Sequence, residues 1–236
     1  MSLRIIKWDE LEDPSCDFRT AQSAVTVGVF DGVHLGHAEL IRRIVARGPN
    51  PTVLTFRESP KKLLSPGSYP GDIYSLKKKL EVFEDLGVER TVLIDFSENF
   101  SKLKGPEFME LLETRLNISS LVIGVNFHCG FKQDVGADFI QKLNEKRGVL
   151  TEIVEPVIES SLPVSSSRIR IAVKNGDLKT ASLLLGRNFS LDLRNTLPFP
   201  MVKAGKTGWT YDFLPLKRVI PASGSYDAIV HNGSRD

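Results

Sequence analysis

The chain of 236 residues is poor in sulfur and imidazole, with two cysteines and four histidines. Cys16 and Cys129 stand far apart in no paired spacing, which excludes a disulfide framework and fits a reducing compartment. A zinc site would find few ligands among so few His and Cys residues. Long apolar runs are missing too. None approaches the roughly 18 residues of a membrane-spanning helix. Residues 1–10 carry charge early and lack the apolar core of a signal peptide. A cytoplasmic protein is therefore expected. An excess of one charge sign is missing as well. A formal net charge of +2 argues for neither nucleic acid nor an anionic membrane as a partner. One short basic cluster, Lys77-Lys78-Lys79, reads as a solvated helix face. No internal repeat or low-complexity tract is visible.

What is present alternates. Residues 24–30, 51–56, 91–96, 121–125 and 150–154 are short apolar runs rich in β-branched residues, and read as strands. Helices are predicted over 35–47, from Leu76 to the stop at Gly87, over 106–116 and over 137–146. The stretch 57–72, rich in Pro, Ser and Gly, reads as a loop. Nearly all-apolar strands alternating with helices imply a parallel sheet covered on both faces. The fold class is then α/β, a doubly wound, Rossmann-like sheet, with ligands outside the carboxyl ends of its strands. Two short helices follow at 171–174 and 178–185. A boundary is placed at Gly186, with one domain over 1–186 and a tail of loops and short strands over 187–236.

The run Gly28-Val29-Phe30-Asp31-Gly32-Val33-His34-Leu35-Gly36-His37 covers the turn from the first predicted strand to the first helix. There the leading helical N–H groups lack partners and the helix dipole favours an anion. Two imidazoles at such a corner can bond a phosphate and stabilise charge as it reacts. The plainer alternative for one such histidine is a helix cap. Downstream, Ser165-Ser166-Ser167-Arg168-Ile169-Arg170 sets hydroxyls and guanidiniums before a helix, a group able to clamp phosphate oxygens. Taken alone, a serine cap with solvated arginines explains that stretch equally well.

Together the two runs resemble the GxFDGxHxGH and ISSTxIR signatures of the HxGH nucleotidyltransferases, with Ser167 in the threonine place. In particular they resemble the form found in the FAD synthetase module of bacterial bifunctional riboflavin kinase/FMN adenylyltransferases. Gly124, Asn126, Phe127 and Gly130 match that family's GxDFxFG segment, while His128 and Cys129 depart from it. His128 beside Cys129 also raises a thiol nucleophile, but no orienting partner is visible. Thr55, Phe56 and Pro60 match TFxPHP, with Glu58 and Ser59 replacing its proline and histidine. The resemblance covers about residues 20 to 187.

The resemblance implies transfer of AMP from ATP to FMN, giving FAD and pyrophosphate. It implies His34, His37 and Arg170 as catalytic. Gly28, Phe30, Asp31, Gly36, Gly124, Asn126, Phe127, Ser166, Ser167 and Arg168 would bind the nucleotide, and Thr55 and Phe56 would face the flavin. Mg²⁺ would ride on the ATP phosphates, with no protein metal site, and a monomer is expected. The changes at Glu58, Ser59, His128 and Cys129 make the acceptor side the weaker one. Glu58 would repel the FMN phosphate if it points inward, with Arg57 as an offset. In the tail, residues 196–203 look like the kinase's TLGFPTAN, with Met201 and Lys203 in the threonine and asparagine places, and residues 219–226 resemble a later kinase strand. The tail is expected to be a remnant without riboflavin kinase activity. Two alternatives remain: another phosphate acceptor, or a weakly active nucleotide- or flavin-binding protein.

Overall fold

The computed structural model describes residues 2–13, 15–193, 198–203, 206–211 and 216–230. Strands and helices alternate as β1 (Arg4–Lys7), β2 (Ser23–Val27), α1 (Leu35–Arg47), β3 (Thr52–Phe56), α2 (Leu76–Asp85), β4 (Arg90–Ile94), α3 (Gly105–Arg115), β5 (Ile118–Gly124), α4 (Ala137–Glu145) and β6 (Leu150–Val154). Two further helices, α5 (Ser166–Lys174) and α6 (Leu178–Leu185), follow. The six strands form one parallel sheet in the order β1-β4-β3-β2-β5-β6. The chain runs outward from β2 through β3 and β4, then returns to the other side of β2 as β5. The order thus reverses between β2 and β5, where a doubly wound sheet opens its ligand crevice.

The sheet is buried on both faces because successive strand side chains point to opposite sides. Ala24, Val53 and Val122 enter one core, with Ile41 and Ile44 of α1, Phe83 of α2, Ile169 and Val173 of α5, and Leu184 of α6. Their neighbours Val25, Leu54, Leu121 and Ile123 enter the other, with Met109 and Leu112 of α3 and Ile140 of α4. No helix among the described residues is long and apolar enough to cross a membrane.

Three of the differences from the sequence reading bear on the sheet or the site. β1 adds an edge strand on β4 that four residues flanked by Arg4 and Lys7 were too short to announce. The helix expected at 171–174 begins at Ser166, because Ser165 caps it by accepting the Arg168 N–H at 3.3 Å. Ile169, Ala172 and Val173 then form a buried stripe at helical spacing, so the Ser-Arg motif is itself the first turns of α5. The loop over 57–72 carries short helical turns at Lys61–Leu64 and Pro66–Ser68.

Beyond Gly186, Pro198–Lys203 pairs antiparallel with Lys206–Tyr211. Val219 lies in the main core, and its N–H donates to the Asp72 carbonyl at 3.0 Å. Thr196 and Leu197 lie outside the described residues, as do the side chains of Met201 and Lys203.

Candidate active site

The loop from β2 to α1 lies at the carboxyl edge of the sheet, beside the switch point. Its backbone is unusual. Phe30, Gly32 and Val33 all have positive φ, at 51°, 77° and 42°. Such values are uncommon for side chains with a Cβ, and for Val33 a clear outlier, so the surroundings must impose them. A Cβ on Gly32 would meet Ile73 Cδ1 at 3.0 Å, so both conformation and space require glycine there. Asp31 Oδ1 accepts the Ile73 and Tyr74 N–H groups, at 2.9 and 3.5 Å. The Arg187 guanidinium donates to the carbonyls of Gly32, at 2.8 Å, and Val33. Phe30 is buried under His37 and Phe83, edge to face with both rings. It shapes the loop from within the core. Gly28 makes room for it, since a Cβ there would stand 3.1 Å from the Phe30 ring.

The turn ends on the two histidines. His34 is the N-cap of α1, and its Nδ1 accepts the His37 N–H at 3.4 Å. The rings stack with centroids 3.6 Å apart and planes at 18°. Gly36 packs under this pair, and a Cβ on it would stand 3.3 Å from the His34 ring. Burial first, and then the nearby Arg187 charge, lowers the His34 pKa to about 4. His37 keeps an exposed edge but is crowded by Phe30 and His34. Burial, then His34, Lys79 and Arg187, holds its pKa well below the usual value. Both imidazoles are therefore neutral near pH 7. The His34 proton then sits on Nε2, because Nδ1 is an acceptor. His37 Nδ1 is buried without a hydrogen-bond partner.

The second motif meets the first at Asp31. Ser166, in the first turn of α5, donates to the Asp31 carbonyl at 3.0 Å. Two helix N-termini, of α1 and α5, thus converge on one loop, and their dipoles add in favour of an anion. Ser167 is exposed. Arg170 is an ion-pair partner of Asp31 and donates to the Gly71 carbonyl at 3.0 Å. Burial raises the Asp31 pKa, while Arg170 pulls it down. Arg168 is engaged elsewhere. Its Nη1 donates to the carbonyls of Glu159, Leu162 and Pro163, at 3.2, 2.9 and 2.9 Å, closing the hairpin of Ile158–Glu159 and Leu162–Pro163.

The acceptor-side residues part company. Thr55 is fully buried, donates to the Val29 carbonyl at 3.1 Å, and so presents no free hydroxyl to a flavin. Phe56 is half-buried and joins Phe96 and Phe100 in an edge-to-face group. A cleft of about 380 Å³ opens beside Phe100, between Trp8, Leu93, Asp95 and Arg115. Gly124 ends β5, and Asn126 and Phe127 follow it, Asn126 exposed and Phe127 half-buried. Glu58 points outward, with its side chain 68% exposed and paired to Lys62 at 3.0 Å. Arg57 pairs instead with Asp95 at 2.7 Å, so the feared inward charge and its expected offset are both absent. His128 is exposed, with Nδ1 3.0 Å from the Asn126 carbonyl. Burial raises the Cys129 pKa to about 12, which leaves a protonated thiol rather than a nucleophile.

Sequence reasoning missed Lys79. The triple-lysine stretch is not a solvated face throughout, because Lys79 is buried and bonded to the ends of β2 and β3. The signal was available. Position 79 lies three after Leu76 and four before Phe83, inside the apolar stripe of α2. Arg187 was read only as the end of the resemblance, yet it braces the histidine loop and packs over the Tyr74 ring.

The FAD synthetase family model matches residues 17–168. The chain belongs to the FAD synthetase family. A bifunctional riboflavin kinase/FMN adenylyltransferase from Buchnera aphidicola subsp. Acyrthosiphon pisum is 28% identical over 198 residues, 82% of this chain and 61% of that protein. One from Bacillus subtilis is 30% identical over 220 residues, 87% of this chain and 66% of the relative. The chain thus spans less than two thirds of the length of these relatives. A crystal structure described as a macrolide-efflux protein from Streptococcus pneumoniae superposes with a TM-score of 0.73 at 29% identity. It covers 95% of this FAD synthetase family chain and 73% of its own.

Proposed function

We propose that the chain transfers AMP from Mg²⁺–ATP to FMN, forming FAD and pyrophosphate in the cytoplasm. One observation carries the reading: a stacked histidine pair at the N-terminus of α1, joined through Asp31 to the N-terminus of α5. An oxygen of the FMN phosphate attacks the α-phosphorus of ATP. The new P–O bond forms as the bond from that phosphorus to the bridging oxygen breaks, and pyrophosphate leaves. Catalysis is then positioning and charge stabilisation. His34, through Nε2–H, and His37 donate to the α-phosphate and bridging oxygens as charge builds there. Ser167 and the first N–H groups of α5 receive the pyrophosphate, while the Ser166 hydroxyl holds the Asp31 carbonyl beside them. Arg170 reaches it only by releasing Asp31, and otherwise holds the loop that carries His34. The flavin ring lies toward Phe56, Phe96 and Phe100, with Asn126 and Phe127 on the nucleotide side.

Asp31, the carboxylate in this corner, has one oxygen on backbone N–H groups and the other on Arg170. Mg²⁺ is accordingly assigned to the triphosphate, as part of the substrate. The domain assignment of residues 1–186 to this transfer, and a monomeric state, belong to the same proposal. Met201 and Lys203, in place of the kinase motif's threonine and asparagine, support an absence of riboflavin kinase activity.

A second reading keeps the chemistry and changes the acceptor, since Glu58, Ser59, His128 and Cys129 depart from the family pattern on the acceptor side. Incubation with Mg²⁺–ATP and FMN, followed by chromatography of the flavins, separates the two. FAD supports the first. ATP-dependent AMP transfer to another phosphate, with FMN untouched, supports the second.

A further inference from the structure

We propose that Lys79 is a positioning residue for the transfer, tying the nucleotide loop to the acceptor loop. The inference rests on the proposed adenylyl transfer. Lys79 reaches in from α2 and is 7% exposed. Burying an ammonium is costly unless its protons are matched. All three have acceptors here: the Phe56 carbonyl at 2.9 Å, Thr55 Oγ1 at 3.0 Å and the Val29 carbonyl at 3.3 Å. Thr55 donates to the same Val29 carbonyl, which closes the network. Val29 stands just after β2 and directly before Phe30, where the strained histidine loop begins. Phe56 ends β3 and opens the segment to Arg57, Glu58 and Ser59. One side chain therefore fixes the spacing between the two loops that must bring the α-phosphate and its acceptor together. Reacting groups misplaced by about 1 Å lose on the order of 100-fold in rate.

A neutral amide nitrogen brings only two protons, so the ammonium is the donor that meets all three acceptors at once. Its charge is balanced further out. Asp31 and Asp72 face Lys79 through space, and with Arg57 and Tyr74 they line the same small cavity, about 20 Å³. Asp31 is already paired with Arg170, and Asp72 with Tyr69 and Lys62. On the α1 side the Lys79 charge adds, after burial and His34, to what disfavours a protonated His37.

The test uses the full chain and three variants. Lys79→Gln keeps two N–H donors without the charge, Lys79→Met removes donors and charge, and Lys79→Arg keeps both. Readouts are kcat and KM for ATP and FMN, thermal unfolding, and hydrogen exchange of the Val33 and Arg57 amides, one in each loop. Lys79→Met is expected to lose about 100-fold in kcat with KM for ATP within about threefold, and to exchange both amides faster. Lys79→Gln should unfold near the wild-type temperature and lie between the wild type and Lys79→Met in kcat, and Lys79→Arg should recover at least tenfold of the loss. Wild-type kcat in Lys79→Met, or a fall in kcat with both amides exchanging as in the wild type, overturns the inference. If the wild type forms no FAD, the reading of the reaction falls, and the amide exchange, measured without substrate, decides the tie by itself.

Discussion

His34 and His37 lie face to face at 3.6 Å, and the backbone N–H of His37 caps on the ring of His34. The pair is one unit, with one imidazole oriented by the other's main chain. Each alanine variant should therefore cut kcat by about two to three orders of magnitude, the usual loss for a donor to transition-state charge. ATP affinity should fall far less. Steady-state FAD formation and calorimetric titration with ATP check this. Near-normal turnover in either variant removes that histidine from the transition state.

The same burial makes stability depend on pH. His34 titrates near 6.5 when unfolded and near 4 when folded. Between those values the unfolded state binds more protons, so folding weakens as pH falls. The contribution is full above pH 6.5 and is lost progressively toward pH 4. Its size is on the order of 2 kcal/mol between pH 7 and 4.5. His37, also lowered, adds in the same direction. His34→Asn keeps a good N-cap while removing the titrating group. Denaturant unfolding of both proteins across this window should show a shallower acid loss in the variant. Parallel curves would contradict the buried neutral state.

Glu58 illustrates a charge whose sign was legible and whose direction was not. Its partner, Lys62, sits four residues on, where one helical turn brings the pair together. Exposed pairs of this kind contribute about 0–1 kcal/mol. Glu58→Gln should thus leave KM for FMN within about twofold and stability nearly unchanged. A tenfold gain in FMN affinity would mean that this carboxylate does oppose the substrate.

The parallel sheet and the histidine corner were legible because each leaves a local mark. The apolar runs at β2 to β6 alternate with helices of ordinary length, and the α1 limits follow from its cap and stripe. The start of α5 was misread because Ser165 to Arg170 looked like a polar loop, whereas its apolar partners begin only at Ile169. Lys79, Arg187 and the partners of Arg170 were hidden for another reason. Each of these cations is recognised by what its charge touches across the fold, and distant carbonyls such as Gly32, Phe56 and Gly71 leave no trace in the spacing of the chain.

The kinase-like stretch gives a prediction of absence. Met201 has no hydroxyl, and Lys203 has a cation where the motif has an amide. With riboflavin and Mg²⁺–ATP the chain should form no FMN above a control preparation. Riboflavin-dependent FMN formation, in protein freed of contaminating kinase, would show that these two replacements do not abolish the activity.

Arg170 offers the sharpest separation of holding from reacting. Its side chain is 14% exposed and that of Asp31 9%, so the pair is largely shielded from water. Removing one partner leaves a buried charge alone, at a cost of about 3–5 kcal/mol in comparable pairs. Arg170→Ala should therefore lower stability by about 3 kcal/mol and disturb the loop before His34. Asp31→Asn keeps an acceptor for the Ile73 N–H and leaves no stranded carboxylate. Combined with Arg170→Ala it should recover at least half of the lost stability. Activity then distinguishes two roles. If Arg170 only holds Asp31, the double variant regains kcat along with stability. If Arg170 also releases Asp31 to take the pyrophosphate, stability returns while kcat stays at least about 100-fold down. Denaturant unfolding and single-turnover FAD formation on the four proteins measure both sides of the cycle. A stable Arg170→Ala variant would show that the ion pair is not what holds this loop.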